Sequence, residues 1–497
     1  MSNSLSKSRF VSGTQCEKKL FFDVYRKDLK PAVAPTQQAL FDMGHALGRL
    51  AQEVFPNGLD ASEGMNGKWS IAIDRTRQWI EKGEPTIYEA AFSIPGGFAA
   101  LDILHHTQSE RWAIEVKSSG GVKEYHITDA SFQYYVMKKA GFPPDKVFLM
   151  HVNSDYIKQG PLSPSELFHL EDITDQVLAN QPAVALKHTE LLNMLNRGEE
   201  PQKQIGPHCN DPFDCDYKSH CWAGLPAKNV FDLYSARGKD WELYKKGIHA
   251  LTDIPDNYEL NHRQRLQVRG IKLGESHIDL DNIKEFLVGI QGPLYFFDFE
   301  TINPVIPVLN ATSPFEQTPF QYSLHETDID GQLVAHKEFL ADPASFTNPS
   351  ATDPRRSLIE QLKKDIGPNG SIIAYNAAFE IGVLKRLAIA FPEHESFLES
   401  IIDRFVDLLI PFRKAWYYLP AMGGSASIKD VLPAIAPEFS YKDLPINNGG
   451  QASETFLLMI NDGVKEDHAK IRTDMLAYCE RDSLGMVIIY RHLRELS

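Results

Sequence analysis

The sequence predicts an α/β protein of two domains, and three observations lead there. At 497 residues the chain exceeds what one hydrophobic core serves, since single cores stop growing near roughly 250–300 residues. Two separate stretches alternate apolar, strand-like runs with helical periodicity, the pattern of α/β and α+β units. Between them the alternation lapses into short helical segments and a basic run, NHRQRLQVRGIK. The expected organisation is therefore a domain over 1–225, a connector over 226–290 and a second domain over 291–497.

In the first domain, ALFDMGHALGRLAQEVF spaces Phe41, Leu47, Leu50 and Phe55 for one buried helix face. Three strand-like runs follow, TIYEAAFSI, GFAALDILHH and RWAIEVKSS, divided by turns that contain glycine and serine. A helix in ITDASFQYYVMKKAG and an apolar strand, KVFLMHVN, complete the pattern. In the second domain PLYFFDFE reads as a buried strand. SIIAYN is another, and it runs directly into the helix AAFEIGVLKRLAIAF. A long helix, DHAKIRTDMLAYCERDSLGMVIIYRHLREL, closes the chain pattern.

The composition is that of a globular protein: 43% hydrophobic, 24% charged and 10% aromatic. No uninterrupted apolar run is long enough for a bilayer. MSNSLSKSRFVSGTQCEKKL lacks the apolar core of a signal peptide. A cytoplasmic location without a membrane partner is expected, and a reducing compartment disfavours structural disulfides. The net charge of −15 argues against a broad basic surface for duplex DNA. It is compatible with a local basic groove and with clustered metal-binding acids.

Five cysteines occur, and three of them, Cys209, Cys215 and Cys221, crowd into HCNDPFDCDYKSHCW. Cys16 lies far upstream and Cys479 falls in the last helix. That crowding in a cysteine-poor chain points to metal ligation.

Two constellations carry chemistry. In the first domain, Asp102 falls in one strand of an expected hairpin and Glu115 and Lys117 in the next, on a common face. A turn near His106–Arg111 would bring them together. Two carboxylates suit a divalent cation, and a lysine can orient a water or stabilise charge on a phosphate. His45, inside GHALG on the upstream helix, is a further candidate ligand. In the second domain Asp298 and Glu300 share one face at the end of an apolar strand, which is costly unless they bind something. Glu380 sits just inside a helix, and Tyr478 and Asp482 are spaced i, i+4 on the last one. Four acids suit two divalent cations. Asp407 and Lys429 are additional residues that could line this site.

The first region, from LSKSRFVSGTQCEKKLFF through the G-H helix, ALDI and IEVKSS to the cysteine cluster, resembles the RecB-type PD-(D/E)XK nucleases. It is closest to their CRISPR-associated iron–sulfur members, over about residues 5–225. The resemblance implies a restriction-endonuclease-like fold, with metal ligands His45, Asp102 and Glu115, and Lys117 catalytic. Gln133 matches the glutamine of the family's next helix, whereas the tyrosine usually found four residues later is Met137. It also implies a [4Fe–4S] cluster on Cys16, Cys209, Cys215 and Cys221, stapling the domain's chain ends together. A Cys₄ or Cys₃His zinc site, with His208 or His220 competing, is the alternative.

Over about residues 291–497 the order Asp298 with Glu300, then N-A-A-F-E, then Y-x-x-x-D resembles the DnaQ-like, RNase H-fold 3′–5′ exonucleases. Tyr478 points to the tyrosine (DEDDy) subclass; the histidine subclass would need His at position 477, which is alanine. Glu380 stands where that family has aspartate, a misplacement on the scale that weakens catalysis. The combined resemblance is to bacterial fusions of a RecB-like nuclease with a DnaQ-like domain. It implies a metal-dependent nuclease using Mg²⁺ or Mn²⁺, acting on DNA at ends or single strands. A nucleic-acid-binding adaptor with degenerate sites and an RNA-processing exonuclease are the alternatives. Pathway and any partner helicase stay open.

Overall fold

Six strands in the first half of the chain form one sheet in sequence order: β1 (Leu59–Asp60), β2 (Thr86–Ile94), β3 (Gly97–His106), β4 (Arg111–Lys117), β5 (Lys146–Val152) and β6 (Phe168–Asp172). β2, β3 and β4 are antiparallel neighbours. β4 and β5 run parallel, because the helix Glu124–Lys139 makes the crossover that a parallel pair requires. The register Ile103↔Ile114 and His106↔Arg111 sets Asp102 opposite Glu115. Ile87, Leu101, Ala113 and Leu149 bury one core with Phe10, Phe22, Phe132, Met137 and Leu191.

The computed structural model describes residues 4–32, 35–348, 350–461 and 467–496; the side chains of 35–37 and 39–41 lie outside the description, and Phe41 with them. On the helix Pro35–Val54, Leu47 is buried as its spacing predicts, whereas Leu50 is only partly covered. The architecture is mixed α/β, and the chain divides into two compact units, Met1–Gly224 and Leu225–Ser497. Residues 226–290, expected as a connector, belong to the second unit. They form the helices Lys239–Lys245 and His262–Leu273 over a small core of Val230, Leu243, Leu251 and Val268, and the helix Leu280–Val288, whose Ile283 and Leu287 join the core of the closing helix. In the basic run Arg265 and Arg269 are exposed, whereas Arg263 is turned inward. Arg263 is buried and donates to the carbonyls of Phe412, Arg413 and Gly424.

In the second unit the strands are β7 (His277–Ile278), β8 (Leu294–Ile302), β9 (Thr318–Thr327), β10 (Leu333–Leu340), β11 (Ser371–Ala374), β12 (Phe405–Asp407) and β13 (Tyr417–Tyr418). Five make one mixed sheet in the order β10-β9-β8-β11-β12, and β7 pairs with β13. β8 is central, antiparallel to β9 and parallel to β11. Its alternate residues serve two cores, as a strand covered on both faces must. Leu294, Phe296 and Ile302 pack with Met475, Tyr478 and Met486 of the closing helix His468–Leu496. Tyr295, Phe297 and Phe299 pack with Leu358, Leu384 and Leu398 on the other side. Among the described residues, no helix is long and apolar enough to cross a membrane.

Candidate active sites

The period of β8 decides where its acids go. Asp298 and Glu300 continue the face of Leu294 and Phe296, the one covered by the closing helix. That helix presents Tyr478 and Asp482 one turn apart on the side turned to them. β11 leads into a turn at Asn376, whose φ of 75° is a left-handed value that asparagine tolerates. The Asn376 backbone N–H donates to Asp407 Oδ1 at 2.9 Å and fixes the turn. The helix Ala378–Ala390 starts there with Glu380 in its first turn. Asp298, Glu300, Glu380, Tyr478 and Asp482 thereby line one open cavity of about 440 Å³, together with Asn376, Gly449 and Glu454.

Burial, with mutual repulsion at Asp298 and Glu300, raises the affinity of these acids for protons. Burial first, then Asp482 and Glu380, push Glu300 up to about 8. Burial, with Asp407 adding, pushes Glu380 up to about 8. Asp298 is raised well above the carboxylate range by burial and by Asp482, Glu300 and Glu380, and burial raises Asp482 as well. Glu380 Oε2 is buried without a hydrogen-bond partner. A ligand atom of Asp298 and one of Glu300 lie within 4.8 Å of each other and of the Cys479 sulfur. Converging carboxylates with an orphaned buried oxygen are the donor set that a hard divalent cation relieves.

Two residues orient this cluster that the sequence did not single out or held as an extra. The Tyr441 hydroxyl donates to Asp482 Oδ1 at 2.6 Å. Lys429 Nζ stands 5.3 Å from the Tyr478 ring and 5.5 Å from the Tyr441 ring, and its charge lowers both Glu300 and Asp482. Asp407 serves the turn instead of the cavity wall, accepting from the backbone of Asn376 and Leu409. Gly449 opens a helix beside Glu300; a Cβ there would stand 3.4 Å from Glu300 Oε2. Glu454, on the same helix, is a further acid in the cavity, and nothing in its local sequence marks it.

In the first unit the hairpin does bring Asp102, Glu115 and Lys117 together. The Val116 N–H donates to Asp102 Oδ2 at 2.6 Å. Lys117 Nζ lies 2.8 Å from Glu115 Oε1 and donates to Asp129 Oδ2 at 2.5 Å. Gln133 donates to Glu115 Oε2 at 2.7 Å. Lys7, which the sequence did not reveal, donates to Glu115 Oε1 at 2.5 Å. Burial alone would raise Glu115, but Lys117 and Lys7 outweigh it and hold the carboxyl well below its usual range. Asp102 is pushed up to about 7 by burial and by Glu115.

Glu89 is a second residue that sequence pattern missed. It faces Asp102 across β2 and β3, pushed up to about 7 by burial first and Asp102 next. Its φ of 50° is unusual in a strand, where β pairing resumes on either side of it. Such backbone strain gathers at functional sites. His45 stands exposed on its helix and does not join the group. With both oxygens of Glu115 engaged, a divalent cation bridging it to Asp102 would have to displace Lys7. The fit to a cation is therefore poorer here than in the second unit.

Cys16, Cys209, Cys215 and Cys221 line one small cavity with His208 and Tyr217, and none is in a disulfide. Gln15 ties the segments together by donating to the carbonyls of His208 and Phe213 at 2.9 and 2.6 Å. Burial pushes the Cys215 thiol up to about 11, with Cys16 and Cys209 adding to it. His208 Nε2 is 3.9 Å from the Cys209 sulfur, while His220 packs edge-on against Phe22.

A family described as a domain of unknown function, DUF2779, matches residues 295–427. That segment runs from β8 to the residues before the helix Ile428–Ile435. The chain is 27% identical over 323 residues to the uncharacterized protein UU173 of Ureaplasma parvum, covering 58% of this chain and 44% of that one. It is 25% identical over 215 residues to the uncharacterized MG366 homolog of Mycoplasma pneumoniae, covering 40% of this chain and 32% of that one. The chain thus spans less than half the length of these relatives. The crystal structure of SSO0001 aligns with 46% of this chain and 89% of its own, at 14% identity and a TM-score of 0.22.

Proposed function

We propose that this chain is a metal-dependent nuclease that hydrolyses phosphodiester bonds in DNA, with a DnaQ-like, RNase H-type 3′–5′ exonuclease centre in its second unit. The observation that carries the reading is the convergence of Asp298, Glu300, Glu380 and Asp482, with Tyr478, on one open cavity. Three buried acids and the half-buried Asp298, all with raised affinities for protons, and an unpartnered Glu380 oxygen fit a pair of Mg²⁺ or Mn²⁺ ions. When bound, such ions activate water and stabilise the leaving oxygen. Tyr478 orients the attacking water from the helix that also carries Asp482. Tyr441 holds Asp482 in its rotamer, and Lys429 keeps positive charge beside both tyrosine rings. Glu380, one methylene longer than the aspartate of the resembling family, reaches the cavity from the first helical turn.

The first unit is assigned a PD-(D/E)XK centre on Asp102, Glu115 and Lys117, with Gln133 positioning Glu115. A [4Fe–4S] cluster on Cys16, Cys209, Cys215 and Cys221 fits four free cysteines that line one small cavity. Its role would be structural. A binding-only first unit is the second reading, favoured by the clamp of Lys7 and Lys117 on Glu115.

The test uses anaerobically purified protein with end-labelled single-stranded DNA, duplex DNA and matched RNA, in Mn²⁺ or EDTA. Wild type is compared with Glu115→Ala, Asp298→Ala and the double variant. Loss of 3′ trimming in Asp298→Ala supports the second-unit centre. Cleavage that survives each single change and disappears in the double variant supports both. Intact DNA and RNA with retained binding would put the adaptor reading first.

A further inference from the structure

A second cluster of metal-ligating side chains, carried by β9, β10 and the closing helix, shares no residue with the acid cavity. His325 on β9 and His336 on β10 are direct cross-strand partners. Their rings lie 4.3 Å apart between centroids at an interplanar angle of 20°. Glu480 reaches them from the closing helix, with Oε1 3.9 Å from His336 Nδ1. One ligand atom from each of the three falls within 4.8 Å of the others.

The remaining ring nitrogens are already tethered. His325 Nδ1 is 2.9 Å from the Ser483 hydroxyl, and His336 Nε2 is 2.9 Å from the Ser323 hydroxyl. The two hydroxyls are 2.7 Å apart, and Ser483 also donates to the Glu480 carbonyl at 3.1 Å. This is the outer layer that fixes ring orientation around a ligated ion. His325 is buried while His336 and Glu480 are partly exposed, which leaves an entry path.

We propose that His325, His336 and Glu480 form a binding site for one divalent transition-metal ion of the zinc class, distinct from the carboxylate cavity. Two imidazoles with one carboxylate select such an ion over Mg²⁺ or Ca²⁺, which prefer all-oxygen donors. The ion would join β9 and β10 to the helix that carries Tyr478 and Asp482. Stacked neutral histidines that serve only packing are the competing account.

The experiment strips the full-length protein with a chelator and equilibrates it with Zn²⁺ in excess Mg²⁺, which occupies the oxygen sites. Bound zinc per chain is then counted. Wild type should hold one zinc more than His336→Ala and more than Glu480→Gln, and Zn²⁺ should raise the melting temperature of wild type more than that of either site variant. Asp298→Ala and Cys209→Ser should retain that zinc, which separates this site from the proposed nuclease centre and from the cysteines. Glu480→Gln is a surface change that keeps the test interpretable if His336→Ala folds poorly. Equal zinc in wild type and both site variants would overturn the proposal, as would a zinc lost only in Asp298→Ala or Cys209→Ser.

Discussion

The Gln133 amide donates to Glu115 Oε2 at 2.7 Å and to the Ala100 carbonyl at 3.1 Å. It thus pins the carboxylate to the neighbouring strand. Met137, where the resembling family has tyrosine, is fully buried in the first core and takes no part. Gln133→Leu should lower first-unit cleavage by about 10–100-fold, the usual effect of removing a ligand's hydrogen-bond partner. Rates measured in an Asp298→Ala background isolate this unit. An unchanged rate there would remove Glu115 from the chemistry.

Tyr441 plays the equivalent part for Asp482. Tyr441→Phe deletes one hydroxyl from a buried pair and leaves the ring packing in place. The expected outcome is about a 10–100-fold weaker Mn²⁺ dependence of 3′ trimming. Titrating Mn²⁺ in a Glu115→Ala background reads this, with the melting temperature as the control for folding.

The acid cavity makes stability depend on pH in a direction opposite to that of paired carboxylates. Glu300 and Glu380 are raised from 4.5 to about 8, so the folded state keeps protons that the unfolded chain releases. Their contribution is fully present below about pH 4.5 and is lost as pH rises through about 8. A divalent cation replaces those protons. The rise in melting temperature caused by Mn²⁺ should therefore be small near pH 5 and large near pH 8. Asp298→Asn should flatten that pH dependence, and scanning calorimetry across the range checks it.

Cys16→Ser breaks the proposed staple at its distant end. Iron and sulfide content should fall to background along with the visible absorbance. The first unit should melt on the order of 10 °C lower, the scale set by a few kcal/mol of lost metal binding. Zinc retained at one ion per chain, with no iron after anaerobic preparation, would favour the zinc alternative.

The fold was most legible where periodicity was strongest. The hairpin of Asp102, Glu115 and Lys117 follows from strand alternation, and so does the shared face of Asp298 and Glu300. The grouping of Tyr478 with Asp482 follows from helical spacing. What sequence could not supply was proximity without pattern. Lys7 reaches Glu115 from 108 positions away, and Tyr441 reaches Asp482 from a segment that reads as ordinary loop. Glu89 looks like one polar residue in a strand until its backbone angle is known. The basic run around Arg263 reads as part of a connector, yet Arg263 spends its donors on carbonyls of its own unit.

About 200 residues separate Cys16 from Cys221, yet both sulfurs border one cavity. At about 5–20 residues per second of synthesis, the first thiol waits on the order of 10–40 s for its last companion. Through that interval the emerging chain presents an unpaired sulfur, and the helices on either side of it have no docking site for the segment around Tyr217. Were the four thiols to take the proposed cluster, completion of the first unit would wait both on synthesis of its last segment and on the iron and sulfide the cell delivers to it.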